Sequence, residues 1–204
     1  MKSEPLTPLP AAPSFRAFTL IELLAVVTII GILAGLMYPA SHAIMKKVRM
    51  SRTETTALHL KNAINTYLTE YRKLPVRQSI AGEPEIHLMS DGELMDVLCA
   101  SPSETGTNGL NPKKIVFFTG GTARPMGEGK YRNGVRITSD GTAELFDSWG
   151  NHFFVILDGD SNGRVPKPKW DERTDSAEIL HSILVWSSGP DSDNATGSDN
   201  VPTW

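Results

Sequence analysis

Phe18 to Met37 forms an apolar run of about 20 residues that holds a single charge, Glu22. At roughly 1.5 Å per residue, a helix of that length is about 30 Å long, which matches the hydrocarbon core of a bilayer. A carboxylate in such a run is costly to leave in lipid, so Glu22 is a candidate functional residue by default. A secretory signal peptide predicts a shorter apolar core, of about 7–15 residues, with a small-residue cleavage site after it. Here the run is longer, and the small residue Ala17 precedes it. An ordinary signal anchor gives no reason for Glu22.

The stretch Arg16-Ala17-Phe18-Thr19-Leu20-Ile21-Glu22 resembles the processing and methylation signal of the type IV pilins and pseudopilins. That signal is a short polar leader, a small residue (usually Gly, here Ala17), then Phe-Thr-Leu-Ile-Glu opening an apolar helix. The resemblance implies cleavage between Ala17 and Phe18 by a prepilin peptidase, followed by methylation of the Phe18 amine. Counted from Phe18, Glu22 is fifth, Gly31 fourteenth and Pro39 twenty-second. These are the family's positions for its glutamate, a helix-loosening glycine and a proline. The resemblance also implies that Glu22 of an incoming subunit pairs with the charged N-terminus of its neighbour. In low dielectric, desolvation offsets much of that attraction, so the pair gives axial register more surely than affinity.

Residues 1–17 contain Pro5, Pro8, Pro10 and Pro13, which suits an extended leader and not a helix. Within the run, Gly31 and Gly35 have the G-x-x-x-G spacing that permits close helix contact. Gly31 and Pro39 also weaken the helix over residues 31–39, and the resemblance implies that this section unwinds on assembly. Lys46, Lys47, Arg49 and Arg52 follow the run. A positive-inside count would keep that side in the cytoplasm, whereas the resemblance puts the globular domain outside.

Removing the leader and the apolar helix from 204 residues leaves enough chain for one domain. Net charge is −3, and nothing global suggests nucleic-acid binding. Cys99 is the only cysteine, so no intramolecular disulfide forms. Its place in Leu94-Met95-Asp96-Val97-Leu98-Cys99 reads as a small buried hydrophobe.

The fold class expected is α+β: a long N-terminal helix packed on a small antiparallel C-terminal sheet. Five segments follow: leader 1–17, transmembrane and assembly helix 18–39, amphipathic continuation 40–74, a variable connecting region 75–131, and a β-meander 132–204. The continuation carries Ala57, Leu60, Ile64, Tyr67 and Tyr71 at spacings of 3, 4, 3 and 4, a single stripe for packing on a sheet. Pro75 ends it. Residues 91–98 read as a short helix, Ile115–Thr119 as a strand and Gly120–Gly129 as loop. Val135–Thr138 and Ala143–Phe146 flank the turn signal Ser139-Asp140-Gly141. Asn151–Leu157 and Ile179–Ser187 are further strand candidates. Asp147-Ser148-Trp149-Gly150-Asn151 resembles the Asp-x-Trp-Gly-Asn turn of the major pseudopilins of type II secretion, which places Trp149 in the core.

Two acidic loops carry the candidate metal chemistry. Asp158, Asp160 and Asn162 open like a calcium loop with Gly163 at position 6, but Lys169 stands at position 12, where a glutamate is required. An Asp/Asn/Gly turn is the plainer reading. Ser188, Asp191, Asp193 and Asp199 offer oxygens to a hard cation such as calcium, and the segment resembles the calcium-binding C-terminal loop of the major pseudopilins. A solvated acidic tail is the alternative. His42, His59, His87, His152 and His181 share no metal-ligand spacing, and no catalytic constellation is legible.

The resemblance implies a structural filament subunit, not an enzyme. It sits in the inner membrane before assembly, single-pass, with its globular domain in the periplasm. Its partners are copies of itself, other pseudopilins, the prepilin peptidase and an inner-membrane assembly platform. The features after residue 140 favour a type II secretion pseudopilus. A type IV pilus pilin or minor pilin, serving adhesion, motility or DNA uptake, is the alternative. A membrane-anchored, calcium-dependent binding domain is the rival from another class.

Overall fold

The computed structural model describes residues 18–77, 80, 82–102 and 109–204, with no side-chain detail for residues 36–42. The leader with Ala17, the Pro39 side chain and most of the loop expected between Ser101 and Asn111 lie outside the described residues. The chain divides into two compact units, Met1–Ile44 and Met45–Trp204.

Helix α1 runs from Leu20 to Tyr71. Its helical assignment continues through Gly31, Gly35 and Pro39. It starts at Thr19, whose carbonyl accepts the first helical bond from Leu23 N–H. It stops where Arg72 turns left-handed, φ 55°, three residues before Pro75. In the first unit the side chains of residues 18–35 are all exposed, including Phe18 at 71% and Leu20 at 83%. Among the described residues, no helix is long and apolar enough to cross a membrane.

The second unit is built on the stripe along α1. Ala57, Leu60, Ile64 and Tyr67 are fully buried, and Tyr71 is half-buried beside them. They pack with Val155, Leu157, Ile183 and Val185 in one core. These four belong to strands β6 (Phe154–Asp158) and β9 (Ile183–Ser187), paired antiparallel with Val155 opposite Val185. Strand side chains alternate between faces, so Ile156, Leu184 and Trp186 point the other way. There they join Val165, Trp170 and Ile179, with Trp204 packed alongside, in a second core. The sheet is therefore covered on both faces.

Sheet order is β1-β6-β9-β10, all antiparallel, with β1 at Glu85–Met89 and β10 at Val201–Pro202. This corrects the expected meander confined to residues 132–204, because the outer strand β1 comes from the connecting region. Helix α2, Gly92–Cys99, follows β1 and buries Leu94, Met95, Val97 and Leu98.

Three further strand expectations change. Ile115–Thr119 forms no strand: the Phe117 and Phe118 N–H groups both donate to Leu98 O at the end of α2. The expected loop 120–129 contains β2, Arg124–Gly127, paired with β3, Lys130–Arg132. Ile179–Ser187 is not continuous: β8, Glu178–Ile179, pairs with β7, Val165–Pro166, before β9 begins. The hairpin β4 (Gly134–Ile137) and β5 (Ala143–Phe146) forms as expected around its turn.

Candidate functional site

At the start of α1, Thr19 and Glu22 form a reciprocal cap. Thr19 N–H and Oγ1–H donate to Glu22 Oε2 at 2.9 and 2.8 Å, and Glu22 N–H donates back to Thr19 Oγ1 at 3.3 Å. This is a capping box, with Thr at the N-cap and an acid three residues on. The carboxylate also lies at the positive end of the helix dipole. A Cβ built at Gly31 or Gly35 meets nothing within 4 Å, so in the single chain neither glycine is required by a neighbour. The apolar side chains around them are exposed.

The Asp147–Asn151 turn is tied by side-chain hydrogen bonds to α1, to Ser187 and to Gly189. Asp147 is buried, and its Oδ1 accepts from the N–H groups of Trp149, Gly150 and Asn151 at 2.7–2.8 Å. Its Oδ2 accepts from Ser187 Oγ at 2.5 Å. Burial pushes the Asp147 carboxyl above its ordinary range, and the hydrogen bonds from Ser187 and the turn oppose that shift. Asn151 Nδ2 donates to Gly189 O at 2.8 Å, linking the turn to the C-terminal acidic loop. On the other side, Ser148 Oγ donates to Arg49 O and Ser148 N donates to Thr53 Oγ1, fastening the turn to α1. Trp149 is only half-buried and belongs to neither core, a correction to its expected placement. The aspartate organises this turn by satisfying three consecutive backbone donors, so the indole need not anchor it.

The acidic loops differ from one another. In the first, Asp158 accepts from Asn162 N and Gly163 N, while Asp160 accepts from Asn162 N and Nδ2. These carboxylates serve as turn caps. In the second, Ser188 is buried and Gly189 opens a single 3₁₀ turn to Asp191. Gly189 has φ +70°, and a Cβ there would lie 2.3 Å from Asp199 O, so only glycine fits. Asp193 caps Ala195 N at 2.8 Å, and Asp191 accepts from Asp193 N and Thr196 Oγ1. The Thr196 hydroxyl, the Asp193 N–H and the neighbouring Asp199 side chain hold the Asp191 carboxyl below its ordinary range. Asp199 Oδ1 and both side-chain polar atoms of Asn200 are buried without hydrogen-bond partners. Orphaned buried oxygens of this kind fit a hard cation. Among the described residues, however, no three His, Cys, Asp or Glu side chains converge as a metal cluster.

Sequence reasoning missed the Asp171 knot. Buried Asp171 takes a two-pronged ion pair from Arg173, Nε to Oδ1 and Nη2 to Oδ2 at 2.8 Å each, and accepts from Trp204 Nε1 at 2.9 Å. Arg173 holds its carboxyl well below the usual range. An Asp-x-Arg pair within a charged loop gave no signal that Trp204 would close over it. Cys99 is half-buried, and burial pushes its thiol up to about 12, which leaves it no nucleophile. His59, His87 and His181 are exposed and His152 is half-buried.

These features define a chain with a capped, exposed apolar helix joined to a two-faced α+β domain. The family profile described as "Prokaryotic N-terminal methylation motif" matches residues 13–38. The fimbrial protein EcpC of Eikenella corrodens is 33% identical over 95 residues, covering 47% of this chain and 59% of that protein. The chain thus spans less than two thirds of the length of the curated relative it matches. No solved structure matches. The long helix followed by a small antiparallel sheet is consistent with a pilin-like fold. The chain is thus similar to the pilin type in its N-terminal motif and, over about half its length, to a fimbrial protein.

Proposed function

We propose that this chain is a pilin-type structural subunit that polymerises after cleavage behind Ala17 and methylation of Phe18. The observation that carries the reading is the methylation motif over residues 13–38, with Glu22 at the first turn of an exposed apolar helix. The subunit waits in the inner membrane, its domain in the periplasm, until an assembly platform extracts it. Glu22 then gives up its bonds to Thr19 for the charged N-terminus of a neighbour. The Asp147–Asn151 turn and the C-terminal acidic loop favour a type II secretion pseudopilus, built with other pseudopilins. The fimbrial relative favours the second reading, a type IV pilus. In either machine, calcium is proposed at Asp191 and Asp199, with Ser188 and Asp193 beside them, where it would order the loop and occupy the orphaned Asp199 oxygen.

Expression with and without a prepilin peptidase tests the reading. Filaments containing this chain should form only in the peptidase-positive cells. Equal filament yield without the peptidase would contradict it.

A further inference from the structure

A cleft of about 620 Å³ opens in the second unit, between α1 and the segment leading into β2. Arg52, Thr55, His59, Gly121, Arg124 and Asn133 are among its lining residues, which include no Asp or Glu. Arg52 and Arg124 are exposed, and neither takes part in an ion pair among the described residues. Arg124 stands directly opposite Arg132 in the β2–β3 register. Like charges in that position destabilise a hairpin. Arg132 Nε is also buried without a hydrogen-bond partner. Among the described residues, no acidic side chain pairs with the Arg52 and Arg124 of this rim.

The compensating charge lies elsewhere on the same molecule. Residues 113–136 carry six Lys and Arg against Glu128 alone, net +5, of which Lys113 pairs with Glu70 and Arg136 with Glu144. Residues 158–199 carry nine Asp and Glu against four Lys and Arg, net −5. Most of those acids already have work: Asp158, Asp160 and Asp193 cap turns, Asp171 binds Arg173 and Glu178 binds Arg164. Glu172 and Asp175 are exposed and in no ion pair among the described residues. They flank Arg173, whose bonds to Asp171 and Trp204 O fix the loop. A loop held in place before binding loses less freedom on docking.

We propose that the Arg52–Arg124 cleft receives the Glu172–Asp175 loop of a second copy of this chain. The proposal rests on the filament reading and names one of its subunit contacts. A site and its complement on different surfaces of one molecule form a heterologous contact, which propagates into an open helical assembly instead of closing as a dimer. Complementary charge sets register and steers encounter. Glu172 and Asp175 lie outside the proposed calcium loop, so their charge persists whether or not a metal is bound.

Charge reversal in the full processed chain tests the contact. Arg52→Glu with Arg124→Glu, and separately Glu172→Lys with Asp175→Lys, should each lower filament yield at least tenfold with unchanged thermal melts. The fourfold reversed chain, or a mixture of the two reversed chains, should recover yield to within about threefold of wild type. Wild-type yield from either reversed chain, or no recovery in both rescue arms, overturns the proposal. If the wild type forms no filament, the filament reading fails. Sedimentation of the two reversed chains, alone and mixed in detergent, then decides the contact: association only on mixing supports it, and none on mixing overturns it.

Discussion

Thr19 and Glu22 hold each other at the entrance of α1, through two bonds into Glu22 Oε2 and one returned to Thr19 Oγ1. The glutamate thus has a use in the single chain, as half of a capping box, before any neighbour arrives. Its proposed role in assembly requires exchanging the neutral Thr19 donors at the positive end of the helix dipole for the neighbour's charged N-terminal amine.

Glu22→Gln separates the two roles. Glutamine serves at the third helical position of a capping box but carries no charge. The variant should insert, keep its helix and be cleaved, yet lose at least tenfold in filament yield, as should Glu22→Ala. Thr19→Ala, which removes the cap and keeps the charge, should assemble within a few-fold of wild type. Electron microscopy of sheared filaments measures all three, and normal yield from Glu22→Gln removes the charge from the mechanism.

Asp147→Ala should destabilise the domain by about 3 kcal/mol, because it strands three backbone donors and the Ser187 hydroxyl away from water. For a domain of this size that lowers Tm by roughly 6–12 °C. Trp149→Ala, at a half-buried indole, should cost less. A thermal melt in which Trp149→Ala is the more damaging change would reverse the account of this turn.

Asp171 predicts an acid limb in stability. Its carboxyl is held below the ordinary range in the folded chain, chiefly by Arg173, so the folded state favours the ionised form. That contribution is complete above the unfolded value of about 4 and is lost as pH falls from there through the folded value. Denaturant midpoints between about pH 5 and pH 2 should fall more steeply for wild type than for Asp171→Asn. Parallel profiles would show that the knot contributes nothing.

Calcium is tested by chelation. Ligand bound at about a hundredfold excess over its dissociation constant should raise Tm by roughly 5–10 °C, and chelator should abolish that gain. Asp191→Ala with Asp199→Ala should make the domain indifferent to both additions. A wild-type melt unmoved by calcium and by chelator removes the metal.

The parts of the fold legible in the sequence are those written in a local period. Ala57, Leu60, Ile64 and Tyr67 announce their helix face by spacing, and Ser139-Asp140-Gly141 announces the β4–β5 hairpin by turn chemistry. Strand β1 escapes because its five residues bury only Ile86 fully, and its strand identity comes from β6, far away in the chain. The second core escapes for a related reason. Trp170, Trp186 and Trp204 are brought together by a sheet face that no local pattern marks. Trp149 was misplaced because a tryptophan in a turn reads as an anchor, whereas the adjacent aspartate does the anchoring through hydrogen bonds. In the candidate site, Glu22 was legible as a misfit charge. Its bond to Thr19 was not, although Thr19 and Glu22 have the capping-box spacing.

The central claim is that the apolar helix becomes the processed N-terminus of a filament subunit. Intact mass with N-terminal sequencing of the protein from its native membrane or filament tests it most directly. The account predicts a chain beginning at Phe18 with a methylated amine. A mature chain beginning at Met1, or one beginning at Phe18 without the methyl group, would contradict it.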